Sequence, residues 1–248
     1  MQNALPICGL TKTTLLDYPG HVASTVFLGG CNFRCPFCHN GQLVLSPQSC
    51  PAFTNEDILM HLKKRRPILS GVCISGGEPT LYPALTEFLR QIKELEYPVK
   101  LDTNGSNPAF LSELIKAGLI DYIAMDIKSD PDSYPAACGL TGKAETTSPD
   151  TLPAAGLLGQ ISRSICLIRK CGIPYEFRTT VVKGLHTKET FERIGEWLHG
   201  SGSYYLQGYI ASDNVLSPIF SSFSLEEMEH FADICRPHFE SVTIRGVD

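Results

Sequence analysis

The sequence predicts an α/β fold built from parallel strands, and three observations carry that prediction. Six short runs rich in β-branched residues alternate with helical patterns: His21–Leu28, Gly71–Ser75, Val99–Asp102, Tyr122–Lys128, Glu176–Val182 and Tyr204–Tyr209. Strands separated by helices form βα units, because parallel neighbours need a crossover long enough to hold a helix. The helices carry their own punctuation, with N-caps at their starts and glycines at their ends. Finally, 248 residues that are 43% hydrophobic and 19% charged can bury a sizeable core. The expected architecture is a partial (β/α)6 barrel in a single domain, 1–248, with its core over 20–210 and a helix and strand in 211–248, the strand at Val242–Ile244.

Taken in order, the first strand ends two glycines before Cys31-Asn32-Phe33-Arg34-Cys35-Pro36-Phe37-Cys38-His39-Asn40. Thr54 with Asp57, and Ser224 with Glu227, are capping boxes; Asn107-Pro108 pairs an N-cap with a first-turn proline. Gly118, Gly172 and Gly200 fall where helices stop. Leu85, Phe88, Leu89 and Ile92 recur at helical spacing, as do Leu225, Met228, Phe231 and Ile234, and both stripes read as core faces. The basic run Lys63–Arg66 ends a helix whose first turn holds Glu56 and Asp57, an order favoured by the helix dipole, so it reads as a solvated C-terminus. Residues 129–155 are punctuated by proline and glycine, and a loop of that length is functional or mobile.

The formal charge of -5 argues against nucleic acid and anionic membrane as partners, which select basic surfaces. No apolar run reaches the length of a membrane span, and the N-terminus lacks the basic-then-apolar order of a signal peptide, so a cytoplasmic protein is expected. Of the ten cysteines, seven scatter: Cys73, Cys166, Cys171 and Cys235 read as buried thiols in strands or helices. Cys8, Cys50 and Cys138 read as loop residues, and a second metal site there has little support.

The remaining three, Cys31, Cys35 and Cys38, form a C-x3-C-x2-C set on one loop. Four thiolates close an iron–sulfur cube; three leave one iron open to a chelating small molecule. In parallel α/β barrels the loops after strands form the active face. Two more such loops look chemical: Ser75-Gly76-Gly77-Glu78-Pro79 and Asp102-Thr103-Asn104-Gly105. Paired glycines let backbone approach a ligand. Asp126 and Lys128 alternate on one strand and face the same side. His39 is expected to hydrogen-bond around the metal rather than ligate it. The other histidines read as surface or internally satisfied. Tyr134, Tyr204, Tyr205 and Tyr209 are candidates for packing or for a peptide groove.

With these motifs in hand, the sequence resembles the radical S-adenosylmethionine (SAM) enzymes, and among them the activases of glycyl radical enzymes. The cluster motif, Cys-His-Asn, Ser-Gly-Gly-Glu-Pro-Thr, Leu-Asp-Thr-Asn-Gly and Ala-Met-Asp-Ile-Lys carry the resemblance. Thr14–Gly20, Leu101–Pro108, Asp121–Lys128 and Phe177–Val181 are similar to the activating proteins of anaerobic ribonucleoside-triphosphate reductase.

The resemblance implies a barrel of the TIM type and a [4Fe–4S] cluster on Cys31, Cys35 and Cys38, with SAM chelating the open iron. Reductive cleavage of SAM would yield a 5′-deoxyadenosyl radical that takes hydrogen from a glycine of the partner. It further implies Gly76, Gly77 and Glu78 at the methionine ammonium, the backbone near Phe37 at the adenine, and Asn104 at the cofactor. A monovalent cation would sit beside Asp102, Thr103 and Asp126. Lys128, Arg178 and Gln207 would be further cofactor contacts, with a surface salt bridge the alternative for Arg178.

The implied partners are a glycyl radical enzyme, foremost anaerobic ribonucleotide reductase, and a flavodoxin or ferredoxin donor. Only 37 residues separate Cys38 from Gly76, too few cysteine-bearing positions for extra clusters, so one cluster is expected. Alternatives are activation of another glycyl radical enzyme of the pyruvate formate-lyase type, a small-molecule substrate, or a structural zinc or redox-sensing module closed by a fourth Cys.

Overall fold

The computed structural model describes residues 5–50, 53–140, 156–212 and 215–247. Two compact units divide the chain: one of residues 1–32, 42–124 and 160–174, the other of 33–41, 125–159 and 175–248.

In the first unit, β1 (Ile7–Thr14) runs antiparallel to β2 (Ala23–Leu28). From β2 the chain turns parallel: Ala23 to Leu28 pair in register with Gly71 to Gly76 of β3, and β3 pairs with β4 (Val99–Thr103). The middle of β3, Val72 to Ile74, is apolar and fully buried, as a strand covered on both faces requires. β5 (Tyr122–Asp126) starts beside β4, where Asp121 N donates to the Val99 carbonyl at 2.8 Å.

The short α1 (Gly41–Leu45) follows the cysteine loop, and α2 (Asn55–Arg65), α3 (Leu85–Glu94) and α4 (Pro108–Lys116) supply the crossovers. The stripe Leu85, Phe88, Leu89 and Ile92 is fully buried, as its spacing predicts. Thr54 accepts from Asp57 N at 3.1 Å and donates its own N–H to the Asp57 carboxylate at 2.9 Å, which completes the predicted capping box. Most of α6 (Leu157–Lys170), from Gln160 onward, belongs to this unit.

The second unit holds the parallel strands β6 (Tyr175–Val181), β7 (Ser201–Gly208) and β8 (Phe239–Arg245). The crossovers are α7 (Lys188–Trp197) and α8 (Leu225–Cys235), whose Phe191 and Phe231 rings stack at 4.7 Å. A one-turn helix, α5 (Tyr134–Ala137), interrupts the predicted long loop, and Asp130 caps the turn before it by accepting from Asp132 N at 3.1 Å. The rest of that loop, 141–155, lies outside the described residues.

The α/β class with parallel strands therefore stands, with three corrections. β1 was not expected: Gly9 and two register shifts break its pattern, and it places Cys8 in a strand rather than a loop. Leu225 is 51% exposed, because the buried face of α8 runs through Met228, Phe231, Ala232 and Cys235. Cys166 is exposed and Cys171 half-buried, both on the outer side of α6 and its end. Tyr134, Tyr204 and Tyr209 are buried in the core and Tyr205 is half-buried. Among the described residues no helix is long and apolar enough to cross a membrane.

Candidate active site

In the first unit the loops after β2, β3 and β4 interlock. Gly76 and Gly77 are glycines because the root of the cysteine loop lies against them. A Cβ on Gly76, at φ +116°, would stand 2.2 Å from the Leu28 carbonyl oxygen, and one on Gly77 would stand 1.8 Å from that of Gly30. Those two oxygens accept the amides of Gly77 (2.8 Å) and Glu78 (2.9 Å).

Glu78 is fully buried. Its carboxylate accepts from Thr80 N (3.0 Å), the Thr80 hydroxyl, the Thr103 hydroxyl (2.8 Å) and Asn104 N (2.6 Å). Burial pushes its pKa up, and these donors oppose the rise. The oxygens that sequence reasoning directs at an ammonium group are thus occupied in holding the loop after β4.

That loop holds the first cysteine. Asn104 Nδ2 lies 2.9 Å from Asn32 Oδ1 and 3.8 Å from Cys31 Sγ, its Oδ1 accepts from Ser106 N at 2.9 Å, and Asn32 Nδ2 donates to the Ser106 hydroxyl at 2.8 Å. Asp102 pairs with the buried Lys100 at 2.8 Å and accepts from the Ser75 hydroxyl at 2.9 Å. Lys100 already neutralises the charge that the expected cation would offset.

In the second unit, Asp126 and Lys128 meet at 3.0 Å as their alternation predicts, and Arg178 Nε reaches the other Asp126 oxygen at 2.9 Å. Arg178 is mostly buried and also stands 3.8 Å from the buried Glu176, which excludes the surface salt bridge. Burial alone would raise the Asp126 pKa; Arg178 and Lys128 overcome it and hold the carboxyl well below its usual range. Lys128 is held charged, against burial, by Asp126 first and then by Cys35 and Cys38. Conversely the Cys35 thiol falls below its ordinary value, chiefly through a hydrogen bond with Cys138 and then through Lys128, against burial. Burial and the neighbouring Cys35 raise Cys38.

Phe37 is buried, with its ring 6.3 Å from that of His186. Gln207 is exposed on β7 opposite Thr180 of β6, on the face that Arg178 shares. His39 is exposed and sets its ring 5.3 Å from Tyr209.

Three supporting residues escaped the sequence. His186 is buried, accepts from Val182 N at Nδ1 (3.0 Å) and so donates from Nε2 to the Lys128 carbonyl (2.9 Å). It fixes the end of β5 from 58 residues away in sequence, a separation no motif reveals. Cys138 touches Cys35 with no ligand spacing to announce it. Lys100 did carry a signal, since Lys100-x-Asp102 has the same two-residue alternation as Asp126-x-Lys128.

Among the described residues no three His, Cys, Asp or Glu side chains are already gathered into a metal-ligand set. The fit to a cluster rests instead on donor chemistry. None of the ten cysteines is in a disulfide. An amide N–H faces Cys31, and an ammonium faces Cys35 and Cys38, as sulfur ligands carrying negative charge require.

Comparison with known proteins agrees. The radical SAM superfamily profile matches residues 25–198. A Methanocaldococcus jannaschii protein assigned as a glycyl-radical enzyme activating enzyme is 30% identical over 246 residues, 98% of this chain and 96% of its own. The pyruvate formate-lyase-activating enzyme of Clostridium pasteurianum is 32% identical over 151 residues, 58% of this chain and 60% of its own. The crystal structure of Streptococcus suis SuiB bound to S-adenosylmethionine superimposes with a TM-score of 0.66 over 88% of this chain and 48% of that one; at 14% identity this speaks for the fold alone. The chain belongs to the radical SAM superfamily and, within it, to the glycyl-radical enzyme activating enzymes.

Proposed function

We propose that this activase installs the glycyl radical of anaerobic ribonucleoside-triphosphate reductase, with Cys31, Cys35 and Cys38 holding its cluster. Held there, a cluster and SAM would supply the reductive cleavage of SAM and the radical chemistry needed to take hydrogen from a glycine Cα. The chain's own residues bind and orient. Cys31 is held by Asn104, which Glu78 holds in turn, so the loops after β2, β3 and β4 present one prearranged surface. The backbone of Gly76 and Gly77 is assigned to the methionine ammonium, and Glu78 acts through Thr103 and Asn104. Lys128 and Arg178 offer cations to the cofactor carboxylate or ribose, with Gln207 on the same face. The backbone at Phe37 is assigned to the adenine edge. Asp102 and Asp126 are neutralised by lysine and arginine, so no monovalent cation is invoked.

The observation that carries a protein substrate is the Thr14–Gly20 segment, which resembles the reductase activases. Tyr18 anchors it in the core, while Leu15 and Leu16 stand 73% and 85% exposed. Adjacent leucines in water are a feature of protein-docking surfaces. Kinship to the Clostridium pasteurianum enzyme supports pyruvate formate-lyase as the second partner reading. The deciding experiment is anaerobic incubation of cluster-loaded protein with SAM, reduced flavodoxin or ferredoxin, and each partner in turn. A glycyl doublet by EPR on the reductase supports the proposal; a doublet on the lyase alone replaces it. Cys35→Ala should abolish both cluster and doublet, and retention of both would refute the cysteine assignment.

A further inference from the structure

Away from the cysteine loop, a cavity of about 370 Å3 opens in the first unit, lined by Leu5, Ile7, Pro47 and Phe53 with the side chains of Cys8 and Cys50. Its walls are β1 and the turn after α1. Just before α2, Phe53 N donates to the Ile7 carbonyl at 3.0 Å. The Pro47 carbonyl accepts both the Cys50 amide, at 3.2 Å, and the Cys8 thiol, at 3.4 Å. The Cys50 thiol lies 3.8 Å from the preceding carbonyl, Ser46. One carbonyl therefore bridges the Cys8 sulfur to the Cys50 backbone.

Among the described lining residues there is no His, Asp or Glu, so the pair lacks the further donors of a tetrahedral metal site. Two thiols facing one apolar cavity without other ligands are suited to dithiol chemistry.

We propose that Cys8 and Cys50 form a redox dithiol that closes reversibly to an intramolecular disulfide on reaction with a disulfide oxidant. Cys50, half-buried, attacks first: its thiolate displaces one thiolate from the oxidant and forms a mixed disulfide. Cys8 then attacks the Cys50 sulfur, forming the internal S–S bond and releasing the second thiolate. The chain loses two electrons, the oxidant is reduced to two thiols, and the two cysteine protons end on them. Cys8 enters second because it is buried; desolvation and the nearby Cys50 push its thiol up to about 11.

Closure would bear on the cysteine loop. The Cys8 sulfur lies 2.6 Å from where a Cβ on Gly29 would stand, and Gly29 N already donates to the Pro6 carbonyl at 2.8 Å, two residues before Cys31.

The test uses cluster-loaded protein equilibrated anaerobically in dithiothreitol buffers of graded oxidised-to-reduced ratio. Thiols are then blocked with N-ethylmaleimide, and the digest is mapped by mass spectrometry. The expected result is one cross-link joining the peptides of Cys8 and Cys50. Its oxidised-to-reduced ratio should rise about tenfold for each tenfold rise in the buffer ratio. Cys50→Ser, at the less buried member of the pair, should abolish the cross-link while keeping wild-type iron content and SAM cleavage under reducing conditions. Maleimide on both cysteines at every ratio would overturn the proposal, as would a cross-link from Cys50 to any other cysteine.

Discussion

Lys128 acts on two neighbours at once, pairing with Asp126 at 3.0 Å and lowering the thiol pKa of Cys35. Replacing it with Gln leaves Asp126 its Arg178 partner but removes the positive charge that Cys35 and Cys38 face. The Cys35 thiol should then titrate higher, and thiolate at a fixed pH below that value should fall. Iodoacetamide labelling of cluster-free protein across pH, read peptide by peptide, measures this. An unchanged profile would remove Lys128 from the electrostatics of the loop. Asn104→Ala tests the other side. Losing an N–H donor toward Cys31 should lower the cluster's reduction potential without lowering iron content, seen by EPR-monitored redox titration. At this scale the sequence disclosed residues joined by short spacing: three cysteines in one loop, Asp126 beside Lys128, Gly76 beside Gly77. Groups joined only by the fold stayed hidden, as His186 under Lys128 and Cys138 beside Cys35 show.

Elements were legible where local chemistry decides them. Thr54 with Asp57, Ser224 with Glu227 and Asn107 with Phe110 N all cap the helices they announce, because a cap needs only a side chain and an amide three residues on. Thr54→Ala and Ser224→Ala should each cost about 1 kcal/mol in denaturant unfolding and leave SAM cleavage unchanged, since both caps are exposed. β1 was not legible: an antiparallel, half-exposed strand interrupted by Gly9 lacks the buried apolar run Val72–Ile74 that marks β3. In α8 the predicted stripe is buried at Met228 and Phe231 but not at Leu225, and Ile234 is only half-buried. The hydrophobic periodicity was real, but Leu225 sits at the first helical position, before the face that packs begins.

For the whole molecule, membership of the radical SAM family leaves the zinc or redox-module alternative without a role, while the choice among glycyl radical partners lies in surfaces that motifs do not encode. Global stability carries a separate signature, and its sign follows from His186. Burial lowers that imidazole from 6.5 to about 4 in the folded chain, against the Lys128 carbonyl and Asp130, which both favour the charged ring. Above about pH 6.5 neither state holds the proton and the full stability is present. As pH falls, the unfolded chain takes the proton first, so stability drains between about 6.5 and 4, by about 3 kcal/mol in all. The buried Glu78, whose pKa is raised by desolvation, pulls the other way in part of this range, so the wild-type slope alone is ambiguous. Comparison with His186→Gln isolates the imidazole. The variant should be less stable at pH 8, having lost a fitted donor to the Lys128 carbonyl, yet should lose less stability on acidification. Chemical denaturation at pH 8, 6.5, 5.5 and 4.5 measures both, and parallel slopes for the two proteins would show that His186 is not held neutral by its burial.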